Sequence, residues 1–306
     1  MTAGKFITVL VLACLYTSHA GAAPRVVASV APVHSLVASV MRGVAEPELL
    51  VPAGASPHAF ALAPSDMRAL YDADLIVWVG RPLERFLIKA LNTIGNPGAQ
   101  VAVAALPGMG LLKLEDSDDE RGGGYVESRT TRGADPHLWL DLRCARLIVT
   151  HIARRLAAID ASNARHYAAN ARATIARLDD LDARIERRLA PVKHLPFVVF
   201  HDAYQYFERR YGLNAVAVIQ SDPEVSPGAR WILEVRESIK TEHVRCVFAE
   251  PQFNSALVET VLEDSSAHRG TLDPEGADIT PGPDAYFILM QRLADALHDC
   301  LATKTP

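Results

Sequence analysis

From Asn163 to Ala190 the chain runs without a glycine or proline. Its apolar residues Ile175, Leu178, Leu181, Ile185 and Leu189 recur at three- and four-residue steps, the period of one buried helical face. As a single helix this stretch is about 42 Å long at 1.5 Å per residue, a stiff strut with a charged, solvent-facing side. Short β-branched runs lie on both sides of it. Before it they are Val26–Val30, Glu48–Val51, Leu75–Val79, Val101–Ala104 and Leu138–Leu140; after it, Phe197–Phe200, Ala215–Ile219, Arg245–Phe248 and Gly270–Leu272. Helix-compatible patterns at Ser35–Arg42, Ser65–Asp72, Arg230–Thr241 and Ser255–Glu263 alternate with them. Alternation of this kind predicts parallel sheets. The expected fold is therefore α/β: two (β/α)-type lobes, 23–162 and 191–306, joined by a rigid helix over 163–190.

Residues 1–22 read as a signal peptide. Lys5 supplies the positive charge, Phe6 to Leu15 the apolar segment, and Ala20-Gly21-Ala22 the small residues of a cleavage site. A lipoprotein signal with Cys14 as the lipidated residue is the alternative. No later stretch approaches the length of a membrane span, so the chain is expected to be exported, free or anchored through Cys14. Without Lys5 the chain keeps 30 basic against 36 acidic residues, a charge of −6. That balance gives no footprint for nucleic acid.

In an oxidising compartment disulfides persist. Cys246 falls in a strand pattern and Cys300 in the last helical segment, both in the C-terminal half, and they are the expected pair. Cys144 is left over, and its neighbours Leu142 and Leu147 suit an inert buried thiol. The segment 113–133, with Glu115-Asp116-Ser117-Asp118-Asp119-Glu120 followed by Gly122-Gly123-Gly124, is expected to be a mobile acidic loop.

His58, His137, His201 and Asp273 each sit at the edge of an apolar run. They stand many tens of positions apart in the chain, too far for a local metal loop. They can meet only where loops from strand ends gather, which in open α/β sheets is where ligands bind. Three imidazoles and a carboxylate make a four-coordinate set that suits Zn²⁺. Taken singly, each has a plainer explanation: a loop histidine is ordinarily a surface residue, and Asp273 before Pro274 is an ordinary turn former.

Five segments taken in order carry more weight than any one of them. Gly54-Ala55-Ser56-Pro57-His58, His137-Leu138-Trp139-Leu140, Phe200-His201-Asp202-Ala203-Tyr204, Phe248-Ala249-Glu250-Pro251-Gln252-Phe253 and Leu272-Asp273-Pro274-Glu275-Gly276 together resemble the metal-binding receptors of ABC importers, specifically the periplasmic zinc-binding (ZnuA-like) receptors. The resemblance covers essentially all of the chain after the leader. It implies a non-enzymatic carrier, expected to be a monomer, that binds one Zn²⁺ between its lobes and delivers it to the membrane permease of a zinc importer. It assigns the metal to His58, His137, His201 and Asp273. Relatives that carry manganese or iron place a glutamate at the third position, so His201 favours the softer Zn²⁺. Two departures stand out. Zinc members often have a histidine-rich loop where 113–133 has no histidine, and some have a glutamate where Pro57 stands.

Glu250, Asp202 and His34 are candidates to support the ligands from behind, by accepting or making a hydrogen bond at a ring nitrogen. Two other readings compete with zinc carriage: the same receptor class with Mn²⁺ or Fe²⁺, and a zinc hydrolase in which Asp273 stays unbound and a water takes the open position.

Overall fold

The computed structural model describes residues 22–96, 99–113, 133–221 and 225–303. The expected leader with Cys14, and the acidic segment between Lys113 and Gly133, lie outside the described residues.

The first half carries β1 (Val26–Ala28), α1 (Ala31–Met41), β2 (Glu48–Leu49), α2 (Pro64–Asp72), β3 (Leu75–Trp78), α3 (Arg85–Ile94), β4 (Gln100–Ala102) and α4 (Leu142–Ile159). Then comes α5 (Ala164–Leu189). The second half carries β5 (Pro196–His201), α6 (Gln205–Tyr211), β6 (Asn214–Gln220), α7 (Ala229–Thr241), β7 (Cys246–Ala249), α8 (Ala256–Leu262), β8 (His268–Thr271) and α9 (Ala285–Ala302). Two four-stranded sheets result, ordered β2-β1-β3-β4 and β6-β5-β7-β8. Every pairing within them is parallel. Strands such as Leu75–Trp78 and Cys246–Ala249 are buried at every position, as sheets covered on both faces require.

The strut is a helix of 26 residues. Tyr167, Leu178, Leu181, Ile185 and Leu189 are buried along one side of it, each aliphatic side chain contributing roughly 2 kcal/mol of transfer free energy. That side packs against α1 and α4 from the first half and α9 from the second. One continuous apolar core holds Val26 and Val77 of the first sheet together with Phe197 and Phe248 of the second. The halves are therefore two sheets over a shared core, with α5 running through it.

The sequence expectation fails at Leu138–Leu140. These residues form a 3₁₀ turn, with all three side chains buried. A three-residue apolar run says "buried" without saying which conformation, and no strand edge pairs with it. The tight turn lets Trp139 donate its indole N–H to the carbonyl of Pro274 at 2.9 Å. Tyr286 donates to the carbonyl of Trp139 at 2.5 Å, so Trp139 ties the halves together beside the strand ends. A second difference is the start of α1, at Ala31 and not Ser35, because a proline such as Pro32 is tolerated in a first helical turn.

Cys246 and Cys300 form a disulfide between β7 and α9, and Cys144 is free and buried. Gly270 of β8 makes the close approach to that bridge feasible: a Cβ there would run into the Phe248 ring and lie 3.3 Å from the Cys300 sulfur. The two cysteines are 54 positions apart in sequence. Replacing both by serine should lower unfolding free energy by about 2–4 kcal/mol, read as a shift in the urea midpoint; reduction of the wild-type protein should reproduce the shift.

Candidate metal centre

Three of the four widely spaced residues converge. The ligand atoms of His58, His137 and His201 lie within 4.8 Å of one another. Ring centroids are 5.5 Å apart for His58 and His137, 5.9 Å for His58 and His201, and 5.1 Å for His137 and His201. His58 lies on the connection from β2 to α2, His137 immediately precedes the 3₁₀ turn, and His201 ends β5. His137 and His201 are each 3% exposed, while His58 is half-buried.

The tautomers follow from the partners. His137 donates Nδ1–H to Asp135 Oδ1 at 2.9 Å, and the same oxygen accepts the His137 backbone N–H at 2.9 Å. His201 donates Nδ1–H to Glu250 Oε1 at 2.7 Å. A ring nitrogen that holds its proton toward a carboxylate leaves a lone pair on the other. The two Nε2 atoms then face each other at 3.4 Å. Two acceptor lone pairs so close in a buried site repel unless a proton or a metal cation sits between them. The space lined by the three histidines, Ser56, Pro57, Glu250, Gln252, Phe253, Pro274 and Glu275 has a cavity volume of about 10 Å³. That is room for one small ion or a water.

Electrostatics divide the two buried imidazoles. Burial holds His137 well below the ordinary histidine value, and the neighbouring His201 pushes it the same way. Burial also opposes charge on His201, but the Glu250 carboxylate outweighs it by charge and hydrogen bond, with Asp202 and Asp135 adding, so its pKa is raised. Burial pushes Asp135 up to about 7 against the hydrogen bond from His137. Burial, with Asp273, Glu84 and Glu250 facing it, pushes Glu275 well above the carboxylate range.

The other expected residues are placed as follows. Asp273 Oδ1 accepts from Gln252 Nε2 at 2.7 Å and from the backbone N–H groups of Glu275 and Gly276 at 3.0 and 2.9 Å; Oδ2 accepts from Ala277 N–H at 2.6 Å. Its oxygens thus brace the turn after β8, close to the triad but outside its 4.8 Å cluster. Glu250 stands behind His201. Asp202 accepts from Gln205 at 2.7 Å. His34 lies in α1, donating Nε2–H to the carbonyl of Pro47 at 2.9 Å, and does not line the metal pocket. Sequence reasoning missed Asp135, although an acidic residue two before a candidate ligand is a usable signal. It also missed Tyr206, which donates to the Asp135 carbonyl at 3.2 Å and accepts from Leu112 N–H at 3.0 Å.

A model of the family described as zinc-uptake complex component A, periplasmic, matches residues 26–300. The high-affinity zinc uptake system protein ZnuA of Brucella suis is 38% identical over 94% of this chain and 94% of its own length. The protein of the same name from Yersinia pestis is 33% identical over 92% of each. Among solved structures, the solute-binding protein FpvC of Pseudomonas aeruginosa, in complex with Mn²⁺, superposes with a TM-score of 0.77 at 26% identity, covering 92% of this chain and 99% of that one. The crystal structure of a ZnuA superposes with a TM-score of 0.78 at 24% identity, covering 91% and 99%, a likeness of fold. With a family match across nearly the whole described chain, and with these two relatives alike over nine-tenths of it, this chain belongs to the family of the periplasmic zinc-uptake component A.

Proposed function

We propose that this protein is an extracytoplasmic Zn²⁺ receptor that captures one ion per chain on His58, His137 and His201 and hands it to the permease of an ABC importer. The observation that carries this reading is the preorganised triad. Two imidazoles are locked by buried carboxylates so that their free nitrogens converge on a space the size of an ion. The turn from Asp273 to Glu275 supplies the closing carboxylate. The names of the Brucella and Yersinia relatives support zinc as the cargo.

The proposed role is carriage and not catalysis. A hydrolase needs an open metal position with a base placed to activate water, whereas the family matched across the chain is one of zinc uptake. The Mn²⁺ complex of FpvC makes metal competition the proper control, and a set of three imidazoles favours Zn²⁺ over the harder Mn²⁺. Among the described residues no helix is long and apolar enough to cross a membrane. The periplasmic family supports an exported chain, with residues 1–22 as its leader and a lipid on Cys14 as the alternative anchor. A monomer with one zinc is the form proposed to dock on the permease.

Competitive titration of the mature protein tests the assignment. Wild type should bind one Zn²⁺ and hold it against excess Mn²⁺. His137→Ala and His201→Ala should each lose more than about 100-fold in zinc affinity, beyond the usual effect of an outer-shell change. Retention of tight zinc by both variants would sink the reading. Asp135→Asn and Glu250→Gln keep every ligand but disturb the tautomers, and each should lose roughly 10- to 100-fold.

Proton release provides a separate check. His137, with its lowered pKa, is already neutral and gives up no proton on binding. His201, with its raised pKa, carries a proton through a higher pH range and must lose it to bind metal. Zinc affinity should therefore fall as pH drops through the range just above the ordinary histidine value, with proton release rising over the same range. Glu250→Gln removes the group that raises the His201 pKa and should move that release to lower pH. Calorimetry in buffers of different ionisation enthalpy measures it.

A further inference from the structure

We infer that Glu275 supplies the fourth, carboxylate donor to the metal, and that Asp273 braces the turn presenting it. This rests on the zinc-receptor reading above and adds the identity of the closing ligand.

Asp273 is committed elsewhere. Its two oxygens accept four hydrogen bonds, three from the backbone of its own turn and one from Gln252. To reach a metal it would have to abandon some of these bonds, and the N–H groups of Glu275, Gly276 and Ala277 would lose their acceptor. Asp273 is also absent from the walls of the ion-sized space, whereas Glu275 is one of them, its carboxylate lying, like that of Asp273, outside the 4.8 Å histidine cluster.

The other oxygens of that wall are poorer donors. Glu250 spends Oε1 on the Nδ1 proton of His201, and removing it would release the ring it orients. The Ser56 hydroxyl accepts from the backbone N–H of His58 at 3.3 Å. The Gln252 amide is held by Asp273 through its nitrogen, and its buried, unpartnered oxygen is neutral and brings the ion no balancing charge. Glu275 is the wall carboxylate whose oxygens no imidazole or turn engages among the described contacts.

Charge points the same way. The charges of Asp273, Glu84 and Glu250 all act on Glu275, and among the described residues no lysine or arginine lines the space. A carboxylate there is repelled by its surroundings until a divalent cation enters, and the cation then becomes the largest local charge. The Asx-type turn makes the arrangement economical: Asp273 fixes the backbone at 275 and 276, which sets the direction in which Glu275 projects. Gly276, at φ +78°, permits the reversal that follows.

The test uses the mature protein with Zn²⁺, and with Co²⁺ as a coloured substitute. Glu275→Gln should weaken zinc binding at least about tenfold and shift the visible Co²⁺ absorption as a carboxylate leaves the coordination sphere, while Glu275→Asp should regain part of both. Asp273→Asn should lower the thermal midpoint and disturb the Co²⁺ absorption less than Glu275→Gln does, because the amide oxygen can still accept from the turn. Wild-type affinity and Co²⁺ absorption in a Glu275→Gln variant that melts normally would overturn the assignment. So would a Co²⁺ shift confined to Asp273→Asn, which gives the ligand role to Asp273 and leaves the zinc receptor intact. Tight zinc binding in His137→Ala would overturn the assignment together with the reading beneath it.

Discussion

The structure depends on α5 being buried against both halves at once. A linker between independent lobes would show two separate cores with a solvated connection. Here the apolar side of the helix, from Tyr167 to Leu189, belongs to one core that reaches β1 and β3 on one side and β5 and β7 on the other. Hinging the halves would expose that side chain by chain, at roughly 25 cal/mol for each Å² uncovered. A polar clamp adds to this constraint. Asp182 on α5 accepts from Arg146 of α4 at 3.1 Å and from Arg210 and Tyr211 of α6 at 2.6 and 3.0 Å. Wide closure around a ligand is the wrong picture for such a frame. The 3₁₀ turn that follows His137 and the strand end that carries His201 are both anchored in this frame.

Rigidity matters because the site is unfavourable without its cargo. Asp135 Oδ2 is buried and has no hydrogen-bond partner, and the Nε2 atoms of His137 and His201 stand 3.4 Å apart and share at most one proton. Such groups cost free energy when left unmatched. In a flexible protein the side chains would swing away and relieve the strain. Here the Tyr206 hydroxyl on the Asp135 carbonyl, Trp139 on Pro274, and the β5–β7 pairing behind Glu250 keep them in place. An ion entering the space restores the balance, so part of the affinity comes from groups that fold in a high-energy arrangement.

Much of this was legible in the sequence, for identifiable reasons. Parallel strands buried on both faces, such as Leu75–Trp78 and Cys246–Ala249, read as unbroken apolar runs, and all the expected runs but Leu138–Leu140 overlap a strand. The strut was visible because a long stretch without glycine or proline, apolar at helical spacing, leaves little else to form. His201 could be placed because it ends such a run. Leu138–Leu140 failed because three apolar residues carry no period. Helix α3 was missed because Arg85 to Ile94 follows a loop with no strong start signal, and Glu84 at its N-cap makes no side-chain cap bond. Asp135 was passed over because its work is done through space on a neighbour two residues away, which residue spacing does not express. For Asp273, sequence specifies an acidic turn at the right strand end. Which carboxylate of that turn faces the pocket depends on backbone hydrogen bonds that only the folded turn reveals.

The triad is asymmetric, and the asymmetry follows from where each histidine sits in the fold. His137 and His201 are buried, each locked by a carboxylate and carried at the edge of the common core. His58 is half-buried and rides on the connection from Leu49 to Pro64, which has no helix or strand between β2 and α2. Gly54 on that connection has φ +85° and lies where a Cβ would be 3.7 Å from Ala277, so the loop rests on the turn that follows Glu275. The triad therefore opens to solvent on the His58 side. Two histidines are fixed in position by the core, while the third, with the Asp273–Glu275 turn beside it, forms the side of the site least tied to the core. In a frame that α5 prevents from opening, motion that lets an ion in or out costs least there, because displacing this loop uncovers little of the shared core.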